Sequence, residues 1–308
     1  MRGVSKYMKK LILSTIVITT AIALTACSSN SASKSEFVTE QMSTTLTSST
    51  SAEQKTQAAI VSAQPTVAAV PVYSNVSYYI SSKLEEYKAF SLLHPDYTLE
   101  NIVTYVNIGL DSPFYTNTKV IQNPDDILVL CNKYNSLPDT YIPSDLVDIT
   151  AANTAASGLK LRKEAAQAFD KLCAGAKEAG YTILAASSYR SYATQKTLYN
   201  NYVASDGIAK ADTYSARAGF SEHQTGLTLD VKNATVVYDS FGTTPEYQWA
   251  KDNIQKYGFI IRYQPSTVSI TGYKSEEWHF RYVGVDTATA VYSLGISFDE
   301  YCAKYLMK

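Results

Sequence analysis

A sharp change in composition near residue 72 limits where a folded core can form in this chain. From Ser28 to Thr56, Ser and Thr dominate, with Gln, Ala and Lys between them. Residues 57–72 stay rich in Ala, Val and Gln around Pro65 and Pro71. Such a stretch buries too little apolar surface to offset the entropy of ordering it. Residues 27–72 therefore read as a disordered tether, a coil with an r.m.s. span of about 35–40 Å. Folding is expected over 73–308, with most of the informative segments in 150–308. At 45% hydrophobic and 18% charged, the 308 residues hold enough apolar material to fill a core there.

Ahead of the tether, residues 1–10 carry Arg2, Lys6, Lys9 and Lys10 and no acid, and residues 11–26 are apolar or small. A basic start followed by a short apolar run is the pattern of a secretory signal. The run falls short of the roughly 18–20 residues of a spanning helix. It closes on Leu24-Thr25-Ala26-Cys27, which resembles the lipobox of bacterial lipoproteins, where the cysteine is lipidated and becomes the new N-terminus. The resemblance implies a signal peptide over 1–26, lipidation of Cys27 and an extracytoplasmic protein of the cell envelope anchored to the membrane. An ordinary signal peptide with a chance cysteine is the other reading of the same residues. The formal net charge is −1, and removal of 1–26 takes away cations only. General nucleic-acid binding, which calls for a basic surface, is not expected. No protein partner is inferred.

Three cysteines remain beyond the tether, Cys131, Cys173 and Cys302, without a C-x-x-C pair. That excludes a cysteine zinc ribbon and predicts buried free thiols. Apolar spacing predicts helices over 75–90, from Thr98, and over 160–179, where Leu161, Ala165, Ala168, Phe169, Leu172 and Cys173 share a face ended by Gly180. Helices are also predicted over 191–204, 245–257 and 286–306. Short apolar runs predict strands at 127–130, 183–186, 228–231, 259–261 and 280–283. Helices first, then strands interrupted by helices, point to an α+β fold with a mostly antiparallel sheet. There is no Gly-rich phosphate loop and no regular βαβ repeat.

Histidine is scarce, and two of the three, His223 and His279, lie in SEHQTGLTLD (221–230) and SEEWHF (275–280). A hydrolytic zinc site takes about three His or carboxylate ligands and leaves a position open. It also uses a carboxylate outside the ligand set to move the proton of water. His223, Asp230 and His279 can supply the ligands and Glu276 the base. Spacing alone is weak support, and H-E-x-x-H is absent. A core histidine and a solvated Glu276-Glu277 pair fit the same residues.

The segments SEHQTGLTLD and EEWHFRYVG (276–284) closely resemble the zinc-dependent D-alanyl-D-alanine carboxypeptidases of the vancomycin-resistance type. SSYRSYATQ (187–195), GFIIRY (258–263) and TGY (271–273) match the same family in the same order. Weaker likeness extends through YVNIGLDSPFYTN (105–117) and NKYNSLPDTYIP (132–143). The resemblance implies the hedgehog/D,D-peptidase fold, an antiparallel sheet flanked by helices, and one Zn2+ per chain. It places the metal ligands on His223, Asp230 and His279, the catalytic carboxylate on Glu276 and the carbonyl-polarising arginine on Arg190. Gln195 and Ser221 match substrate-contact positions, and Trp278 is expected to pack beside the metal. The implied reaction is removal of the C-terminal D-alanine from peptidoglycan stem peptides. L,D-carboxypeptidase, endopeptidase and non-catalytic wall-binding activities remain open alternatives, because pocket walls outside these motifs set the choice. The chain departs from the family pattern at Ser188, Ala218, Thr228 and Glu277, the last standing where Pro is usual. His94 lies outside every motif and is expected to be structural.

Overall fold

A computed structural model describes residues 72–307, which belong to one compact unit. The expected signal peptide, Cys27 and all of the tether but Val72 lie outside the described residues. No helix among the described residues is long and apolar enough to cross a membrane.

The described chain begins with helices α1 (Leu84–Leu93) and α2 (Leu99–Ile108). Two short strand pairs follow: β1 (Lys119–Val120) runs parallel to β2 (Asn135–Ser136), and β3 (Leu146–Asp148) antiparallel to β4 (Lys160–Arg162). Next come α3 (Lys163–Glu178), β5 (Leu184–Ser187), α4 (Tyr192–Asp206), α5 (Ile208–Ala211), β6 (Thr228–Lys232) and α6 (Pro245–Asn253). The chain continues through β7 (Phe259–Tyr263), α7 (Val268–Thr271), β8 (Glu276–Tyr282), α8 (Val285–Leu294) and α9 (Phe298–Tyr301). Strands β5, β6, β8 and β7 form one antiparallel sheet in that order, so the fold is α+β.

Helix α3 follows from its sequence period: Ala165, Ala166, Phe169, Leu172, Cys173 and Ala176 are its buried residues. They share a core with Leu229, Val231, Phe259 and Phe280 from the sheet. Helix α2 starts where Thr98 accepts a hydrogen bond from the Asn101 N–H at 3.1 Å and ends at Gly109, whose φ of 110° a side chain would strain. The pair α1–α2 has its own small core around Tyr87, Phe90, Ile102, Val103 and Val106. Cys131, Cys173 and Cys302 are free and buried.

Four expected elements differ. The helix expected over 75–90 begins as α-helix only at Leu84. Backbone groups ahead of it are taken by side chains: Asn107 donates to the Tyr78 carbonyl at 3.0 Å, and the Ile80 N–H donates to the Tyr87 hydroxyl at 3.2 Å. No strand forms at 127–130, because Arg281 donates to the carbonyls of Ile127 (2.9 Å) and Val129 (2.8 Å) in place of a partner strand. Residues 160–162 extend as β4 before α3 begins. The helix expected over 286–306 breaks at Gly295 (φ 63°) and resumes at α9, capped by Ser297, followed by a π-turn over Cys302–Leu306.

Candidate active site

The sheet brings the sequence's unusual residues together. In the pairing of β6 with β8, Asp230 stands directly opposite His279. Side chains so placed are near neighbours on one face. His223 arrives from the 3-10 turn Glu222–Thr225 that precedes β6, ended by Gly226 at φ 67°. One ligand atom from each of His223, Asp230 and His279 lies within 4.8 Å of the others. His223 Nε2 is 3.4 Å from Asp230 Oδ2, and His279 Nδ1 is 3.4 Å from Asp230 Oδ1. Tetrahedral zinc with bonds near 2.0–2.1 Å sets its ligand atoms about 3.3–3.4 Å apart, so this donor set fits the metal.

The outward-facing ring nitrogens are held as metal ligands need them to be. The Nδ1–H of His223 donates to the Ser188 carbonyl at 2.8 Å, leaving Nε2 toward Asp230. His279 Nε2 faces the Glu222 carboxylate at 3.4 Å, leaving Nδ1 toward Asp230. Partners of this kind set the tautomer and raise ligand basicity. Glu222 itself is fully buried between Arg262 (2.8 Å) and Arg281 (3.1 Å). Burial opposes its charge, but the two guanidinium groups hold its carboxyl well below the usual range. Arg262 also pairs with Asp299 at 2.8 Å, so two buried acids balance two buried bases.

Glu276 owes its position to an irregularity. Residues three apart on a regular strand face opposite sides of the sheet. The register of β7 against β8 shifts between Ile261, paired with Phe280, and Tyr263, paired with Glu276. The extra residues on β8 re-aim the chain, and the Glu276 carboxylate lies 3.5 Å from His279 Nδ1. Burial raises the Glu276 carboxyl to about 7, against the pull of His279. Glu277 does not line the cavity: it accepts from the Ser275 hydroxyl at 2.9 Å and packs over Gly242, where an added Cβ would come within 2.8 Å of its Cγ. The two adjacent carboxylates are thus told apart by geometry.

The metal-free triad attracts a proton. Burial disfavours charge on His279, yet Asp230 and Glu222 raise it to about 9. Burial and Arg190 lower His223. Burial likewise disfavours charge on Asp230, but the two histidines hold it well below the usual range. A group of this kind has room for positive charge, which a divalent cation supplies.

Arg190 closes another side. Its backbone N–H donates to the His223 carbonyl at 3.1 Å, and Nη2 lies 3.9 Å from Asp230. Gln195, on α4, accepts from Arg190 Nη1 at 2.6 Å and donates to the Ala216 carbonyl at 2.6 Å. These bonds orient Arg190, and the second N–H of the Gln195 amide has no partner among the described residues while the residue borders the cavity. The Ser221 hydroxyl makes no hydrogen bond among the described residues and its residue lines the cavity. Trp278 lines it too, edge-on to Tyr238 at 5.5 Å. His94 stacks on Tyr97 at 4.7 Å, away from the site.

Arg190, Gln195, Ser221, His223, Asp230, Glu276, Trp278 and His279 all border one open cavity of about 400 Å3, and Cys27 lies outside the described residues. Sequence reasoning assigned no role to Glu222, Tyr263 or Lys274, although the first two stand inside quoted motifs. Adjacency of Glu222 to a candidate ligand was the available signal for it. Nothing in local sequence marks Lys274.

A family model described as VanY, D-alanyl-D-alanine carboxypeptidase, matches residues 158–285. The chain is 40% identical over 208 residues to the putative carboxypeptidase YodJ of Bacillus subtilis (strain 168), covering 64% of this chain and 76% of that protein. It is 31% identical over 183 residues to a D-alanyl-D-alanine carboxypeptidase of Enterococcus faecalis, covering 56% and 65%. Among solved structures, the LD-carboxypeptidase LdcB is similar with a TM-score of 0.58 at 40% identity, over 61% of this chain and 91% of that one. VanYB in complex with D-alanine-D-alanine is similar with a TM-score of 0.50 at 30% identity, over 58% and 98%.

Proposed function

This chain belongs to the VanY-type zinc D-alanyl-D-alanine carboxypeptidases, and on that premise we propose that it removes the C-terminal D-alanine from peptidoglycan stem peptides. The observation that carries the reading is the Glu276 carboxylate beside, but outside, a three-ligand metal set in an open cavity. His223, Asp230 and His279 hold one Zn2+. Bound zinc supplies Lewis-acid polarisation of water and of the scissile carbonyl. Glu276 takes a proton from the attacking water and returns one to the departing amine. One water is consumed: a C–O bond forms, the peptide C–N bond breaks, and D-alanine leaves with its amine. Arg190 stabilises negative charge that develops on the carbonyl oxygen only as the tetrahedral state forms. Gln195 orients Arg190, and Ser221 and Trp278 contact substrate.

L,D-carboxypeptidase activity on tetrapeptide stems is the second reading, favoured by the likeness to LdcB. The two are separated by D-alanine release from a stem pentapeptide and a tetrapeptide, with and without a chelator and added zinc. Chelator-sensitive release from the pentapeptide is expected. Preference for the tetrapeptide moves the chain to the second reading, and release from neither overturns both.

An enzyme that trims peptidoglycan stem peptides acts outside the cytoplasm, and the likeness to a D-alanyl-D-alanine carboxypeptidase supports that location here. We further propose that it is held to the membrane by lipid on Cys27 after removal of 1–26, with 27–72 as tether and 73–308 as the peptidase domain. Cys27→Ala should shift the protein from the membrane fraction to the soluble fraction. Unchanged partitioning would remove the anchor from the account.

A further inference from the structure

We propose that an uncharged, aromatic-lined groove beside the α1–α2 hairpin binds the glycan strand that carries the stem peptide, an inference that rests on the peptidoglycan reading of the active site. The groove encloses about 270 Å3. One wall comes from the hairpin. There the rings of Phe90 and His94 lie 4.2 Å apart, His94 stacks on Tyr97 at 4.7 Å, and Tyr97 meets Tyr105 edge-on at 5.5 Å. Phe114 and Tyr134, with ring centres 5.6 Å apart, line the groove from the peptidase side. Tyr97 is not a core side chain: it is 44% exposed, and its hydroxyl makes no hydrogen bond among the described residues.

Two features select the ligand. Among the described residues no Lys, Arg, Asp or Glu lines the groove, so nothing there balances a charged group. What it offers is aromatic surface with polar atoms from His94, Tyr97 and Ser269. A pyranose ring matches both: its axial C–H groups pack on the electron-rich face of an aromatic ring, and its hydroxyl and acetamido groups bond to polar atoms around it. The sugar that bears the stem has its acid tied up in an amide with the peptide, so it too is uncharged. Position is the second feature. Ile270 borders the groove and Tyr273 the catalytic cavity, three residues apart, so their Cα atoms are at most about 11 Å apart. The layer between is thin: Phe114 lines the groove, while the hydroxyl of the next residue, Tyr115, meets that of Tyr273 at 3.0 Å. A pentapeptide stem extends to about 17 Å, long enough to cross that separation. The hairpin thus adds grip on the polymer without touching the reacting atoms.

The test gives the full-length zinc-loaded protein a free stem pentapeptide and the same pentapeptide attached to its disaccharide. Wild type is expected to show a KM about tenfold lower for the disaccharide form, with similar kcat. Tyr97→Ala should remove most of that advantage and leave the free pentapeptide unchanged, whereas Tyr97→Phe, which keeps the ring, should retain it. His94→Ala, on the same wall, should act in the same direction as Tyr97→Ala and replaces it if that variant does not fold. Equal KM for the two substrates in wild type, or an advantage that survives these alanine substitutions, would overturn the groove. If wild type releases D-alanine from neither substrate, the carboxypeptidase reading fails, and calorimetric titration with tri-N-acetylchitotriose decides the groove by itself. Binding that Tyr97→Ala weakens about tenfold supports it. No binding, or binding indifferent to Tyr97, overturns it.

Discussion

Burial leaves Glu276 with a carboxyl raised to about 7 in the metal-free chain, while His279 pulls it down. A base must be ionised to accept a proton, and a nearby divalent cation favours the ionised form. The rate constant kcat/KM should therefore rise with pH along an acid limb ending at or below about 7. A pH profile that falls across that range would count against Glu276 as the base. Glu276→Gln should bind zinc as wild type does and lose about 100-fold or more in kcat, read as zinc content alongside D-alanine release. Glu222 acts one shell further out, through His279 Nε2 at 3.4 Å. Glu222→Gln should weaken zinc binding about tenfold or more, measured by competition with a chromogenic chelator. Equal zinc affinity would mean that Glu222 serves only the buried arginines.

At the scale of elements, local period and long-range partners divide the outcome. Helix α3 was legible because its buried positions recur at helical spacing and propensity agrees with them. The run Ile127–Leu130 has strand composition but no strand partner, because its carbonyls are satisfied by a side chain more than 150 residues away. Arg281 is fully buried and bonds Ile127, Val129 and Glu222 at once. Arg281→Met should cost about 3–5 kcal/mol in urea unfolding, since it leaves Glu222 and Asp299 sharing the one buried Arg262. A loss under about 1 kcal/mol would show that water or rearrangement replaces those bonds. The β7–β8 irregularity belongs here too. Glu276 and His279, three apart, reach one another because the strand departs from regular pairing.

For the molecule as a whole, the candidate ligands tie together β6, β8 and the turn before β6. A metal that binds only the folded chain stabilises it by mass action, by about 4 kcal/mol at a thousandfold excess over Kd. For a domain of this size each kcal/mol moves Tm by about 2–4 °C. Excess zinc should raise Tm by about 8–16 °C over the chelated protein, in a concentration-dependent way. A Tm indifferent to zinc and chelator would mean that these three residues do not bind it. In the chelated state His279, raised to about 9 by Asp230 and Glu222 against the opposing effect of burial, stays protonated at neutral pH and partly replaces the missing charge.

The α+β class, the antiparallel sheet, the zinc peptidase family and the cluster of His223, Asp230, His279, Glu276 and Arg190 were all legible in the chain of letters. Core periodicity carries the fold class, while the family and the roles of these five residues came from the resemblance of whole motifs in order, since spacing alone supports a metal site only weakly. How Glu277 is turned out of the cavity while Glu276 faces the metal set emerged only from the pairing of β7 with β8 and the packing over Gly242. So did the support of His279 by Glu222, and the commitment of Gln195 to Arg190. Side-chain direction at an irregular strand, and the partners of buried charges, depend on contacts between residues far apart in the chain. No local pattern encodes those contacts; packing does.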